Sequence, residues 1–522
     1  MAGIGIKLNK FFDKGTVTGY LAGSGYSVVT TIAPMLLVIA DILAMQKILG
    51  YSDAAYGSRQ LFQATILYIF VFALLASAPL NAVLSRYVSD VIFNETYSDI
   101  MAAFHLGLWI SMAIDAIMVV PFAIHEYIVG GVDIVYVVTS VCCFIALSLV
   151  FYTMLYLSLC KDYGKISLFY FIGMAITLGI SYIFVKKFNM EITYSMLLAM
   201  TIGFIIIASL GYALLRQYFT QNSKNYKDVL QYIVRFRKLI YANTLYTVGL
   251  FIHNFVFWTT DLRTVIVKSF VYAQAYDFAA CIAMFTNMSA SVIFIALMEM
   301  HFNARYKQYS EAVIGGRLSD IRKTKSRMFR LLADEIMDLA RIQFIISTAV
   351  FLICLVVLGR MGYSGTVIQL YPCLCAGYFI LYLMYAAFLF LYFFNDLDGA
   401  VYTGLIFCII TLVGSLISRH FDTLWYGTGL VAGAFTGWTY AYFRLSWLES
   451  HLHIHIFCKG SLSVSGMFYI LPGSPDPHPW RTYVPVPSDT EAWLSCVLHN
   501  QGLHQIPSLP AGFSENPGSH PP

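Results

Sequence analysis

Twelve stretches of 17 or more mostly apolar residues run through this chain, and no lysine or arginine enters any of them. They lie near 26–45, 61–83, 101–123, 133–157, 166–185, 192–214, 239–258, 277–298, 342–359, 369–394, 401–417 and 425–443. At 1.5 Å rise per residue, each is long enough to cross most or all of a hydrocarbon core ~30 Å thick. The cations collect in alternate gaps: 24 of the 32 lysines and arginines fall in the first, third and later odd gaps, and 8 in the even ones. Cytoplasmic loops carry the excess of Lys and Arg, so this split predicts cytoplasmic termini and two long basic cytoplasmic loops. An even number of spans agrees with that.

A soluble globule could not cover itself with this composition, since 59% of the residues are apolar and only 11% charged. The expected fold class is an all-α polytopic membrane protein. Its net charge of +4 points to the anionic cytoplasmic leaflet rather than to nucleic acid, because the cations sit beside the membrane. Most of the ten cysteines lie in or beside spans, among them Cys142, Cys143, Cys160, Cys281, Cys354, Cys373, Cys375 and Cys408, without metal-ligand spacing. Free thiols packed as small apolar groups are expected, and no metal or cofactor. Residues 1–14 have no apolar core followed by a small-residue cleavage site, so residues 1–20 read as an interfacial helix that offers Ile4, Ile6, Leu8, Phe11 and Phe12 to the membrane.

A basic linker at 217–238 separates two sets of six spans, at 21–216 and 239–446. Six spans per half imply parallel repeats about an axis along the membrane normal, the plan of carriers that pass substrate between halves. Ser98-Asp99-Ile100 before span three is echoed by Ser319-Asp320-Ile321 before span nine. The 300–341 loop carries Leu318, Ile321, Met328, Leu332 and Leu339 at helical intervals, with Arg322, Lys323, Arg327 and Arg330 on its early part and Asp334, Glu335 and Asp338 after them. This pattern predicts an amphipathic helix lying on the membrane surface or docking a cytosolic partner. In the C-terminal region, 447–522, composition changes past 460: 11 of the 15 prolines fall in the last 62 residues, and a disordered tail is expected.

No phosphate-binding loop, HExxH, GxSxG or paired catalytic carboxylates occur. The chain is therefore read as neither an enzyme nor the ATP-hydrolysing part of a pump. Ionisable residues inside spans are costly and mark lumens or interhelical bonds. On that ground Asp115, His253, Asn254, His105 and Asp41 are candidate lumen, substrate or ion contacts. Asp41 lies toward the end of its span and, with Asp261, Asp277 and Glu299, reads more readily as a headgroup-level charge. Pro34, Pro79 and Pro372 are candidate helix breaks. Gly429, Gly433 and Gly437 recur every four residues and line one face, the signature of a close helix contact. A lumen without cations suits a neutral or cationic cargo better than a lipid pyrophosphate, although Arg59, Arg86 and Arg263 could reach in from the rims.

Several local motifs resemble the PelG family, the membrane transporter subunit of Pel exopolysaccharide machinery. They are Met1-Ala-Gly-Ile-Gly-Ile-Lys-Leu8, Tyr20-Leu-Ala-Gly-Ser-Gly25 leading to Pro34, and Pro79-Leu80 before Ser85-Arg86-Tyr87-Val88-Ser89-Asp90. Others are Met298-Glu299 with Phe302, Tyr306, Tyr309, Ala312 and Gly315-Gly316, and Arg444-Leu-Ser-Trp-Leu-Glu449 with His455-Ile-Phe-Cys458. The resemblance covers about 1–460. It implies about twelve transmembrane helices in two six-helix bundles around a central lumen, in the multidrug/oligosaccharidyl-lipid/polysaccharide exporter superfamily. It further implies a cytoplasmic family-4 glycosyltransferase and membrane scaffold subunits as partners, and an N-acetylgalactosamine-rich polymer as cargo. The alternatives are a lipid-linked oligosaccharide flippase or a cation-coupled drug antiporter of that superfamily, or a membrane-embedded glycosyltransferase scaffold without its own conduction path.

Overall fold

The computed structural model describes residues 17–159, 163–266, 268–297, 302–360 and 365–459. Residues 1–16 of the expected interfacial helix, Cys160, Glu299 and the Pro-rich tail lie outside the described residues. Long apolar runs in a lipid solvent must satisfy every backbone polar group internally, and here they do so as helices. The first half comprises α1 (Val17–Ile48), α2 (Tyr56–Phe93), α3 (Ser98–His125), α4 (Ile134–Leu159), α5 (Tyr163–Phe188) and α6 (Ile192–Tyr218). A short linker helix α7 (Tyr226–Arg235) leads into α8 (Arg237–Phe257) and the hairpin of β1 (Thr264–Ile266) and β2 (Phe270–Tyr272). There follow α9 (Gln274–Asn287), α10 (Ser289–Leu297), α11 (Asn303–Gly315), α12 (Leu318–Arg360), α13 (Gly365–Phe393), α14 (Leu397–Ser418) and α15 (Thr428–Lys459).

Among the described residues, nine helices are long and apolar enough to cross a membrane by length and composition. Spans one, eight and twelve fall on α1, on the α9–α10 pair and on α15. The two halves repeat one packing plan. In the first, α4 and α5 pack on α6, α2 packs on α4, and α1 on α5; in the second, α13 and α14 pack on α15, α9 on α13, and α8 on α14. The halves meet through α2 against α8 and α1 against α10, contacts that exchange under the same repeat.

Glycines make the tightest of these contacts. A Cβ on Gly433 would strike the Thr411 hydroxyl, one on Gly429 the backbone of Ser415, and one on Gly437 the Met384 sulfur at 2.5 Å. The four-residue glycine spacing therefore serves the packing of α15 on α14 and, at Gly437, on α13. The three prolines break nothing: Pro34, Pro79 and Pro372 sit inside continuous helices, where neighbours carry the load of a missing N–H. The interruption in span eight falls instead at Met288, between α9 and α10. There the Asn287 carbonyl accepts from Gln343 Nε2 on α12 at 3.1 Å, while Asn287 Oδ1 accepts from the Ser347 hydroxyl at 2.7 Å.

The 300–341 region is not a separate surface helix. Most of its length is the first part of α12, which continues unbroken through span nine to Arg360. The stretch 318–341 thus extends about 36 Å beyond the span. Met328, Phe329 and Leu332 pack with Phe302, Phe394 and Leu448 in a cluster shared by α11, the end of α13 and the extension of α15. Arg322, Lys323, Arg327 and Arg330 all stay exposed on the other side.

Candidate functional site

Two polar centres lie within the bundles. In the second half, Asp277 is 7% exposed and accepts from Asn254 Nδ2 at 2.8 Å, from the Trp258 indole at 2.9 Å and from the Ala273 N–H at 3.0 Å. Asp277 reads from the sequence as a headgroup-level charge; the structure shows it in the first turn of α9, bonded by the end of α8 and by the residue that follows the hairpin. Beside it, His253 is fully buried, its Nδ1 lying 2.8 Å from the Tyr276 hydroxyl. His253 Nε2 and Asn254 Oδ1 have no partner among the described residues.

In the first half, Asp115 is 1% exposed and accepts from the Ser148 hydroxyl at 3.0 Å, leaving Oδ2 unbonded. This bond ties α3 to α4. Asp41, 7% exposed on α1, has an unbonded Oδ2. His105 stands apart from both centres, 3.4 Å from the Asn222 amide of the linker. The structure therefore joins His253 and Asn254 around Asp277, and keeps Asp41, Asp115 and His105 apart from them.

Both ends of the interface between halves carry polar clasps. At the end that bears the basic loops, Arg86 Nη1 donates to Asn395 Oδ1 at 2.5 Å and its guanidinium lies 4.2 Å from the Phe236 ring. Asn243 Nδ2 donates to the Ala78 carbonyl at 2.7 Å. At the opposite end the hairpin seals the mouth: the Tyr68 hydroxyl donates to the Val271 carbonyl and accepts from its N–H, and Tyr68 stacks on Trp258 at 5.0 Å. Phe270 packs on Tyr68 and Phe122, and Ser269 donates to Glu126. Under Phe270 lies a cavity of about 250 Å³ lined by Phe72, Met118, Phe122, Tyr136 and Phe144.

Sequence reasoning missed Glu126, Tyr68 and the hairpin. Glu126 follows the end of a span, and only the five-residue π-helical turn Glu126–Gly130 brings it inside, to 2% exposure. Such turns often mark functional positions. Among the described residues, no group of three or more His, Cys, Asp or Glu could hold a metal.

Two bundles with this pairing plan also occur in solved structures. The fold matches an outward-facing multidrug resistance MATE family transporter of the MOP superfamily at TM-score 0.54 and 13% identity, over 82% of this chain and 97% of that one. It also matches a MATE transporter in the bent conformation at 0.54 and 13%, over 82% and 96%. A MOP superfamily transporter from Pyrococcus furiosus matches at 0.51 and 14%, over 82% and 97%. The protein is a multi-pass membrane transporter of the MATE-like fold. Its sequence matches the profile of PelG, the exopolysaccharide exporter (EPS-E) family, over residues 1–457, and the chain belongs to that family. No curated protein matches it.

Proposed function

We propose that the protein moves an exopolysaccharide, a Pel-like polymer rich in N-acetylgalactosamine, across the bacterial cytoplasmic membrane without chemistry of its own. A cytoplasmic family-4 glycosyltransferase, held in place by membrane scaffold subunits, delivers the chain as it is made. Membership of the exporter family over residues 1–457 carries this reading. The absence of Lys and Arg from the spans supports a neutral cargo, since a pyrophosphate-bearing carrier would call for cations in the lumen. Arg86, a cation at the junction of the halves, is already engaged by Asn395 and Phe236. The basic-loop end is cytoplasmic in this reading, and the exposed Arg322, Lys323, Arg327 and Arg330 face the polymerising partner.

Deleting the gene in a polymer-producing host tests the reading. Loss of surface polymer is expected, and undiminished secretion would overturn it. Reversing the charge of the four α12 cations together should remove the glycosyltransferase from membrane pull-downs while leaving the transporter's abundance unchanged.

A further inference from the structure

Five tyrosines of the second bundle form a file whose hydroxyls have no protein partner among the described residues. Tyr378, Tyr382, Tyr385 and Tyr392 recur on α13 at steps of four, three and seven, which puts them on one face. Their Cα atoms span about 21 Å along the axis. Tyr246 on α8 faces this row and stacks on Tyr385 with ring centroids 4.9 Å apart. The bonded hydroxyls nearby belong to other rings, Tyr276 and Tyr371, and the hydroxyl of Tyr392 is sealed from solvent as well as unbonded. The fully buried His253, with its unbonded Nε2, closes the far end of the file, its ring centroid 6.2 Å from that of Tyr378.

Of the five hydroxyls, that of Tyr392 is sealed and unbonded, which is costly in a core. The other four are unbonded without being sealed, so the row presents polar tips to open space rather than to a dry core. A core built only for packing would carry phenylalanine at these positions, as it does at the neighbouring Phe388 and Phe390. The near end of the file lies at the junction of the halves, where Tyr392 packs against the first-bundle cluster that contains Leu84 and Tyr87.

We propose that this file is the polymer track of the second bundle. Its hydroxyls bond the hydroxyl and acetamido groups of a neutral hexosamine chain, and its free ring faces pack against sugar C–H groups. The proposal rests on the exporter reading given above. A carbohydrate chain suits the row because it repeats its donors and acceptors along its length and carries no charge that would demand a counter-ion.

The test replaces Tyr246, Tyr385 and Tyr392 by phenylalanine, singly and together, which deletes the hydroxyls and keeps the rings. Surface polymer is measured at matched membrane abundance in the deletion host. Tyr402→Phe and Tyr442→Phe serve as controls, since these tyrosines are 54% and 55% exposed. Each hydroxyl removed from the track should lower export about threefold to tenfold, the usual worth of one neutral hydrogen bond, while the controls change nothing. Unchanged export in the triple variant overturns the track. So does an equal loss in the controls.

A binding measurement separates a sugar track from a file of water. Saturation-transfer NMR on the protein in nanodiscs, with an N-acetylgalactosamine oligosaccharide as probe, should show contact in the wild type and lose it in the triple variant. Export that falls while oligosaccharide contact persists overturns the sugar assignment in favour of a hydrated path. If the deletion strain itself secretes normally, the exporter reading fails, whatever the tyrosines do.

Discussion

At the scale of single residues, burial has placed carboxylates where they must be answered by specific donors. Asp277 takes three such donors, and an amide in its place presents one acceptor and two donors to them. Asp277→Asn should therefore destabilise the second bundle by about 1–3 kcal/mol, read as a lower thermal midpoint in detergent. An unchanged midpoint would mean that the three donors find other partners. Glu335 lies on the part of α12 outside the span and is 6% exposed. Burial, with the nearby Asp338 adding to it, pushes its carboxyl up to about 8 from 4.5. Because the folded protein holds this proton more tightly than the unfolded chain, the stability it contributes is fully present below about pH 4.5. That contribution falls as pH rises toward 8 and is flat beyond. Glu335→Gln should remove this slope and raise the midpoint at pH 8 relative to wild type; an identical pH profile in the variant would refute the assignment.

At the scale of helices, the spans and their order were legible because lipid allows one backbone solution and the apolar runs mark it. Their interruptions were not. Proline is the usual breaker, yet Pro34, Pro79 and Pro372 remain helical, and the break at Met288 has no proline or glycine beside it in the sequence. What holds it is distant, the side chains of Gln343 and Ser347 on α12. Gln343→Leu should leave the Asn287 carbonyl unanswered and cost about 1–3 kcal/mol, with faster amide exchange around 285–291 as its local sign. Unaltered exchange there would show that the carbonyl finds another donor. Asp277 was hidden in another way: its position at the start of a span reads as headgroup level, while the donors that bond it, Asn254 and Trp258, sit at the end of the preceding helix. The cations of 318–330 similarly disguised the continuity of α12, since charge density reads as a loop until Met328, Phe329 and Leu332 are seen packed on α11 and α15.

At the scale of the whole molecule, two bundles with one packing plan meet along α2 and α8 and are clasped at both ends. The clasp at the hairpin end joins Ser269 to Glu126 across the two halves. Replacing both by cysteine should allow an oxidant to cross-link them, arrest export, and permit recovery on reduction. Export that continues through full cross-linking would mean that this mouth need not open. The resemblance carried by short motifs pointed to two bundles and a transporter, because family motifs encode a shared architecture. Asp115, His253 and Asn254 were legible as polar residues inside spans, whereas the Tyr246–Tyr385 stack was not, because its rings come from helices far apart in sequence.

The unbroken course of α12 has a mechanical meaning. A helix rigid from Leu318 to Arg360 is a lever whose outer arm, about 36 Å long, slightly exceeds the arm inside the bilayer. Gln343 and Ser347, close to its fulcrum, grip the one place where span eight is interrupted. Torque applied to the basic tip is therefore delivered to Asn287 as a small, strong displacement at the one joint of span eight.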